Sequence, residues 1–207
     1  TDDELTLECS YFYHLNPHST GVFVADVSGH GIPAALIASM IKITFSLQQE
    51  YAAHPETVLK KINEIMNDKL EEQFFTAGYI YFDLNHEKLY YSRAGHPPVL
   101  VYKRKEKKVY ELKPKGKLIG YFPKAEYESE SFDIEKGDRV LIYTDGIVEN
   151  ADPEGTLYEE RFYEIIESKA HLSLDEWIDF LIRDLGDWRG KNEGFEDDIT
   201  LIAIDIK

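Results

Sequence analysis

Three aspartates stand at the edges of apolar, β-like segments, and long stretches of sequence separate them. Asp26 follows the apolar run 21–25, Asp145 follows the run 139–144, and Asp197 comes just before a final apolar segment. One aspartate beside a glycine is a weak signal, since that pattern is more often a plain turn. Three of them suit one shared site for a hard cation, because carboxylate oxygens are the ligands that Mg²⁺ and Mn²⁺ prefer.

The turn after Asp26 contains residues with special backbone properties. Gly29 and Gly31 allow positive φ and a close approach of the backbone to a ligand. Pro33 suits the first turn of a helix, where its missing N–H is no loss. The pattern therefore predicts a strand, a sharp turn and a helix that together hold Asp26 at a strand end.

Four motifs occur in order along the chain and carry a resemblance to a known family. They are residues 26–36 (DVSGHGIPAAL), 94–98 (AGHPP), 143–146 (YTDG) and 197–200 (DDIT). Together they resemble the PPM-type (type 2C-like) serine/threonine phosphatases and, within them, the bacterial SpoIIE/RsbU branch. The motifs span most of the 207 residues, and four in order are far more specific than one.

The resemblance implies a catalytic site that holds Mn²⁺ or Mg²⁺, as two ions or as one. Asp26 is the implied bridging ligand, and the backbone carbonyl of Val27 is a second ligand of one ion. Asp145 and Asp197 are implied to complete the other ion, so that Asp26, Asp145 and Asp197 form the catalytic set.

Other residues of the motifs are expected beside the ligands rather than among them. Asp198 and Gly146 are two of these neighbours. In the eukaryotic type 2C motif the histidine follows the aspartate more closely than His30 does, and Ser28 occupies that offset. We therefore favour a turn-stabilising role for His30 over a role as general acid. His96 is interpreted as a residue that orders its loop.

The first strand departs from the family pattern. In this branch it carries a Gly-Gly-Asp-type motif whose aspartate joins the metal site. Alignment of that motif with residues 7–14 puts Ser10 at the aspartate position and Tyr13 at a second acidic position. A serine hydroxyl is a poor ligand for these cations compared with a carboxylate, and Glu8, two residues away, is a displaced substitute.

The resemblance implies a protein serine/threonine phosphatase that hydrolyses a phosphorylated anti-anti-sigma (STAS-type) protein in a partner-switching pathway of sigma factor regulation. It also implies an upstream sensor or dimerising segment, and a homodimer is left open. The alternative is a catalytically degenerate pseudophosphatase that binds the phosphoprotein without turnover. Ser10 and Tyr13 favour this alternative, whereas the intact set Asp26, Asp145 and Asp197 favours the enzyme.

The composition limits which cellular compartment and which classes of partner suit the chain. The chain has 39 acidic and 23 basic residues, and its formal net charge of −16 argues against nucleic acid and anionic membranes as partners. A single cysteine, Cys9, excludes an internal disulfide and fits a reducing cytoplasm.

No segment approaches the roughly 20 apolar residues of a membrane span. Residues 103–117 form the one strongly basic region, which is either a solvated hairpin tip or a docking patch for an acidic partner.

The order of elements predicts an α+β fold. Apolar spacing predicts helices over 33–49, from 55, over 158–170 and from the capping box at 173–176, with strands before, between and after them. The resemblance implies two stacked antiparallel β-sheets flanked by helix pairs, the PPM phosphatase-like sandwich. We expect one such domain over 1–207. Because the chain starts without a methionine, we expect it to be the C-terminal part of a longer regulated protein.

Overall fold

The computed structural model describes residues 7–70, 73–190 and 198–207, with the backbone alone for Leu7. In chain order the elements are β1 (Leu7–Asn16), β2 (Ser19–Val27), α1 (Gly31–Ser46), α2 (Pro55–Met66), β3 (Phe75–Asp83), β4 (Lys88–Ala94), β5 (Val99–Lys103), β6 (Lys108–Leu112), β7 (Ser129–Asp133), β8 (Arg139–Tyr143), α3 (Asp145–Val148), α4 (Glu159–Ser168), α5 (Leu174–Arg189) and β9 (Leu201–Asp205). Short 3₁₀ turns cover Gln49–Tyr51 and Asn67–Lys69.

The chain divides into two compact units, each with its own sheet. The first unit comprises Thr1–Pro98 and Leu112–Ile134, and the second comprises Val99–Glu111 and Glu135–Lys207. The sheets have the strand orders β1-β2-β3-β4-β7 and β6-β5-β8-β9, and the strand pairs with an assigned register are antiparallel. Two antiparallel sheets with helices confirm the predicted α+β class.

The core of the first unit lies between its two long helices and one face of its sheet. Because side chains alternate along a strand, every second residue of β2 and β3 faces this core. The largest contributors are Phe23, Phe45, Leu59, Ile62, Phe75 and Tyr79, all at most 2% exposed. Here the sheet residues and the apolar faces of α1 and α2 exclude water from each other, which is the main source of stability of this unit.

Helix α1 corrects one detail of the predicted core. The apolar residues Leu36, Ile37 and Ile41 recur at helical spacing, which predicts that they share a buried face, but Leu36 is 62% exposed. The buried residues of α1 form one stripe that leaves Leu36 on its solvent side; they are Ala34, Ile37, Ala38, Ile41, Thr44 and Phe45. Since α1 is apolar on more than one face, with Ile43 also 62% exposed, periodicity alone could not choose the buried one.

The second unit packs α4 and α5 into a core with its own sheet. The buried members of this core include Leu141, Tyr143, Tyr158, Phe162, Trp177 and Leu181. The predicted capping box at the start of α5 is confirmed, because the Glu176 amide donates to the Ser173 hydroxyl and the Ser173 amide donates to the Glu176 carboxylate. This exchange satisfies two of the amide groups that a helix start leaves open. No helix in the described part of the chain is long and apolar enough to cross a bilayer.

Candidate metal centre

Asp26 is the penultimate residue of β2 and is partly buried. Its cross-strand partners are Glu8 on β1 and Thr76 on β3. Residues directly opposite each other in an antiparallel pair point to the same face of the sheet, with Cβ atoms about 4.5–5.5 Å apart. Val27 ends the strand opposite Phe75 and is buried. The end of β2 therefore presents the Asp26 carboxylate on the same sheet face as the side chain of Glu8.

A hydrogen-bond clamp holds the chain where it leaves β2. The Ser28 hydroxyl donates to the Phe74 carbonyl over 2.6 Å and accepts from the Phe74 amide over 3.0 Å, and the Ser28 amide donates to the same carbonyl over 3.0 Å. These bonds fix the backbone that carries the Val27 carbonyl. They assign to Ser28 a structural role that its hydroxyl chemistry alone would not reveal.

The glycines of this turn have the backbone conformation that the sequence predicts. Gly29 has φ +88° and Gly31 has φ +72°, a region that L-residues with a Cβ rarely adopt. His30 stands between them as the residue before α1, and its exposed side chain makes no capping hydrogen bond to the helix. Ser28 supplies hydrogen bonds to this turn, and the role of His30 stays a prediction.

The register of β1 changes the interpretation of the first strand. Glu8 lies opposite Asp26, whereas Ser10 lies opposite Val24, one pair further from the strand end. Tyr13 faces away from this site, because its ring stacks on Phe45 with centroids 4.2 Å apart and its hydroxyl donates to the Phe45 carbonyl. The motif alignment had given the ligand position to Ser10. The strand pairing gives the place beside Asp26 to a carboxylate, Glu8.

Asp145 begins the short helix α3 directly after β8 and is partly buried. Thr144 holds this strand end to the last strand, since its amide donates to the Thr200 carbonyl and its hydroxyl accepts from the Thr200 amide, both over 3.0 Å. Gly146 is buried, and its carbonyl accepts from the side chain of Asn150. The position of Asp145 is therefore set by backbone bonds on both sides of it.

The Thr144–Thr200 clamp also positions the chain before β9. Asp198 is exposed and lies two residues before Thr200. Because Thr200 is hydrogen-bonded to Thr144, Asp198 stands near the strand end that carries Asp145. Asp197, the third predicted catalytic aspartate, lies outside the described residues. Asp145 and Asp198 thus lie at one end of the sheet of the second unit. Asp26, Val27 and Glu8 lie at one end of the sheet of the first unit.

The donor atoms at these two strand ends fit the predicted cation. Carboxylates and a backbone carbonyl are hard oxygen ligands, which Mg²⁺ and Mn²⁺ prefer over imidazole or thiolate. Among the residues that the structure describes, no group of three or more His, Cys, Asp or Glu side chains already forms a metal cluster. The ligand set Asp26, Val27, Asp145 and Asp197 therefore remains a prediction.

His96 and Cys9 both pack into the first unit. His96 is fully buried, its Nδ1 lies 3.1 Å from the Thr76 hydroxyl, and its carbonyl accepts from Arg93 over 2.5 Å. These contacts fit a residue that orders its loop, and that role stays a prediction. Burial raises the pKa of the Cys9 thiol to about 11, so at neutral pH Cys9 remains a protonated thiol packed against the core.

The register predicts different effects for the two candidate residues of β1. Glu8→Gln should weaken Mn²⁺ binding about tenfold or more, because a charge opposite Asp26 is lost from the ligand neighbourhood. Ser10→Ala should leave Mn²⁺ affinity within about twofold, since Ser10 pairs with Val24. Calorimetric titration with Mn²⁺ measures both. The reverse order of effects would restore Ser10 as the first-strand ligand.

Comparisons with known proteins agree with the fold and with the motifs. The sequence model of the Stage II sporulation protein E (SpoIIE) family matches residues 16–207. Phosphoserine phosphatase RsbU of Bacillus subtilis (strain 168) is 31% identical over 198 residues, which are 93% of this chain and 58% of RsbU. Phosphoserine phosphatase RsbP of the same organism is 30% identical over 160 residues, which are 75% of this chain and 39% of RsbP. The chain spans about half the length of these curated relatives.

Among solved structures, the SiaA-PP2C domain of Pseudomonas aeruginosa superposes with a TM-score of 0.85 at 20% identity. The match covers 97% of this chain and 80% of that domain. At this identity the likeness shows the fold, which is that of a PP2C domain. With the family match over residues 16–207, it confirms the resemblance that the four motifs carried, and the chain belongs to the SpoIIE family.

Proposed function

We propose that this chain is a metal-dependent protein serine/threonine phosphatase domain. The observation that carries the proposal is the pairing of Asp26 with Glu8 at the end of β2, beside a backbone turn clamped by Ser28. Asp145 at the end of β8 supplies a second carboxylate held by its own clamp. Membership of the SpoIIE family and the names of RsbU and RsbP support the same activity.

The cofactor would be Mn²⁺ or Mg²⁺, held by Asp26, the Val27 carbonyl, Asp145 and Asp197. When bound, such cations offset the charge of the phosphoryl oxygens and make water a stronger nucleophile near neutral pH. The contribution of the chain is orientation. The Ser28 clamp holds the Val27 carbonyl and the Thr144 clamp holds Asp145, so that few rotations remain to be frozen in the transition state.

The substrate would be a phosphorylated anti-anti-sigma (STAS-type) protein of a partner-switching pathway in the cytoplasm. Family membership supports this substrate class, because RsbU and RsbP are named phosphoserine phosphatases. The formal net charge of −16 disfavours nucleic acid as a partner. A sensor or dimerising segment upstream would govern the domain, and a homodimer is compatible with this arrangement.

The pseudophosphatase alternative loses the observation that favoured it. It rested on a serine at the first-strand ligand position and on Tyr13 at a second acidic position. In the strand register Glu8 is the residue opposite Asp26, and Tyr13 packs against Phe45. A carboxylate therefore stands opposite Asp26, whereas the pseudophosphatase alternative rested on a serine there.

The test is hydrolysis by the chain with and without metal. We expect release of phosphate from a phosphoserine STAS protein and from p-nitrophenyl phosphate in Mn²⁺, no release in EDTA, and recovery when Mn²⁺ is added back. Mn²⁺ should also raise the melting temperature, since a ligand that binds the folded state stabilises it. A melting shift without hydrolysis would favour the binding module, and hydrolysis that survives EDTA would exclude the metal-dependent mechanism.

A further inference from the structure

Four exposed lysines cluster in the segment between β6 and β7, in a chain that is otherwise strongly acidic. We call residues 113–124 the lysine loop; its exposed lysines are Lys113, Lys115, Lys117 and Lys124. The formal net charge of the chain is −16, so a basic surface here departs from the general character of the molecule. The loop belongs to the first unit, the unit that carries Asp26.

Buried hydrogen bonds hold the lysine loop in one conformation. Asn63 of α2 is 1% exposed; its Oδ1 accepts from the Gly120 amide over 3.2 Å and its Nδ2 donates to the Phe122 carbonyl over 2.9 Å. Gly120 has φ +100°, and a Cβ there would lie 2.5 Å from a methyl carbon of Leu70. A surface fixed in this way can bind a partner without first losing loop entropy.

The loop lies at the same end of the sheet as Asp26. Ile119 and Phe75 exchange both backbone hydrogen bonds, over 3.0 and 3.1 Å, and Phe75 in turn pairs with Val27. Ile119 is therefore two strand spacings from Val27, about 10 Å. An extended peptide covers that distance in about three residues. A substrate whose phosphoserine reaches Asp26 can therefore place a residue about three or more positions away on the lysine loop.

A surface pocket of about 600 Å³ lies on the loop. It is lined by Lys117, Phe122, Pro123, Lys124, Ala125 and Glu126. Apolar side chains and two lysines line it, and the Lys117 Nζ lies 4.2 Å from the centre of the Phe122 ring. Tyr121 beside it is 66% exposed. These features suit a peptide that carries carboxylates around an apolar side chain.

Within the part of the chain that the structure describes, some lysines of the loop have no carboxylate partner. Among the described residues, Lys115, Lys117 and Lys124 form no ion pair. Glu126 on the pocket rim is engaged by Lys60 of α2, with Nζ–O distances of 3.0 and 3.1 Å. The nearby carboxylates of Glu128 and Glu130 accept from the backbone amides of Lys115 and Lys113, and they offset part of the charge at that end of the loop. Among the described side chains, the positive charge that no carboxylate offsets is concentrated at Lys117 and Lys124.

We propose that the lysine loop is the docking surface for an acidic stretch of the phosphoprotein substrate, about three to five residues from its phosphoserine. This inference rests on the proposed function and names the chemistry by which that site would select its partner. The lysines attract the carboxylates of the stretch, and the pocket takes an apolar side chain beside them. The loop thereby discriminates among phosphoproteins that offer the same phosphoserine.

The test measures binding apart from catalysis. Two fluorescent peptides are compared, both with serine in place of phosphoserine, one with aspartates and one with asparagines at the third to fifth flanking positions. Anisotropy titrations with the whole chain in EDTA remove the contributions of phosphate and metal. We expect tighter binding of the acidic peptide, and a Kd about tenfold weaker after the triple substitution Lys115→Glu, Lys117→Glu and Lys124→Glu. Added salt should weaken the wild-type complex.

A matched variant controls for the change in net charge. Lys42→Glu, Lys107→Glu and Lys136→Glu reverse three exposed lysines outside the loop, and this variant should bind the acidic peptide as the wild type does. Three results would overturn the proposal. The loop variant could have the same Kd as the wild type, both variants could lose affinity equally, or the wild type could bind the two peptides equally. Sedimentation that shows a dimer dispersed by the loop substitutions would instead assign the loop to a second copy of this chain.

The same variants separate this inference from the proposed function. The loop variant should hydrolyse p-nitrophenyl phosphate in Mn²⁺ at the wild-type rate, because that substrate has no flanking residues. Loss of this activity in the loop variant alone would mean that the lysines act on the site itself and not in docking. An inert wild type would contradict the proposed phosphatase, while the binding assay in EDTA would still decide the docking surface.

Discussion

Asp26→Asn is expected to lower kcat on a phosphoserine peptide about a thousandfold while the fold stays intact. Asparagine keeps the shape of the side chain and removes the charge that would hold the cation. Loss of metal assistance removes several kcal/mol of transition-state stabilisation, and about 4 kcal/mol corresponds to about a thousandfold in rate. Asp145→Asn should behave in the same way, since Asp145 directly follows β8 and is proposed to hold a cation as well.

The control is Asp179→Asn, which neutralises an exposed aspartate on α5 and should leave kcat within about twofold. Melting curves supply a second measurement, because Mn²⁺ should stabilise the wild type and the control but not Asp26→Asn. An Asp26→Asn enzyme within tenfold of the wild type, with a full Mn²⁺ shift, would remove Asp26 from the ligand set.

Asp138→Asn is expected to cost about 3–5 kcal/mol in the free energy of unfolding. The Asp138 side chain is fully buried and accepts from the Lys103 ammonium over 2.6 Å, from the Arg104 amide over 3.1 Å and from the Glu135 amide over 2.9 Å. Removing its charge takes the nearest carboxylate away from the Lys103 ammonium, which is 9% exposed and lies 3.5 Å from Glu135. Urea unfolding measures the loss.

A surface pair gives the comparison for this prediction. Asp133→Asn removes the partner of Lys88, in a pair whose side chains are 81% and 38% exposed, and should cost less than about 1 kcal/mol. Equal losses in the two variants would show that burial adds nothing to the Lys103–Asp138 pair.

The pair also has a defined pH dependence. Burial alone would lower the pKa of Lys103, but the hydrogen bond and charge of Asp138, together with Glu135, raise it above its ordinary 10.5. A raised folded-state pKa gives stability that is fully present below 10.5 and is lost as the pH rises through the raised value. The difference between wild type and Asp138→Asn should therefore persist across neutral pH and narrow only in strong alkali.

Most elements of this fold could be predicted from local patterns. Turn residues mark the limits of strands, and the capping box at Ser173 predicts the start of α5. These elements therefore follow from short-range preferences. The buried face of α1 could not be predicted, because Leu36 and Ile43 are as apolar as the residues that the sheet covers. Only the tertiary contacts select among such faces.

The residue of β1 that pairs with Asp26 could not be predicted from the sequence. A first hairpin that paired His14 with Val22 would put Ser10 opposite Asp26, but the observed turn is tighter and pairs His14 with Thr20. That shift of two residues keeps the same face of β1 toward the site and exchanges Ser10 for Glu8. Composition and motif alignment carry no information on this register, which depends on the turn geometry.

The place of β1 in its sheet has a consequence for the energetics of the site. Within the described residues β1 pairs with β2 alone, whereas β3 has a neighbour on both sides. Peripheral strands detach at a lower free energy than the global unfolding of a domain, and such openings are frequent on the timescale of hydrogen exchange. Each detachment of β1 would carry Glu8 away from Asp26. The apparent affinity of the site for a cation is therefore the intrinsic affinity multiplied by the fraction of molecules in which this strand is docked.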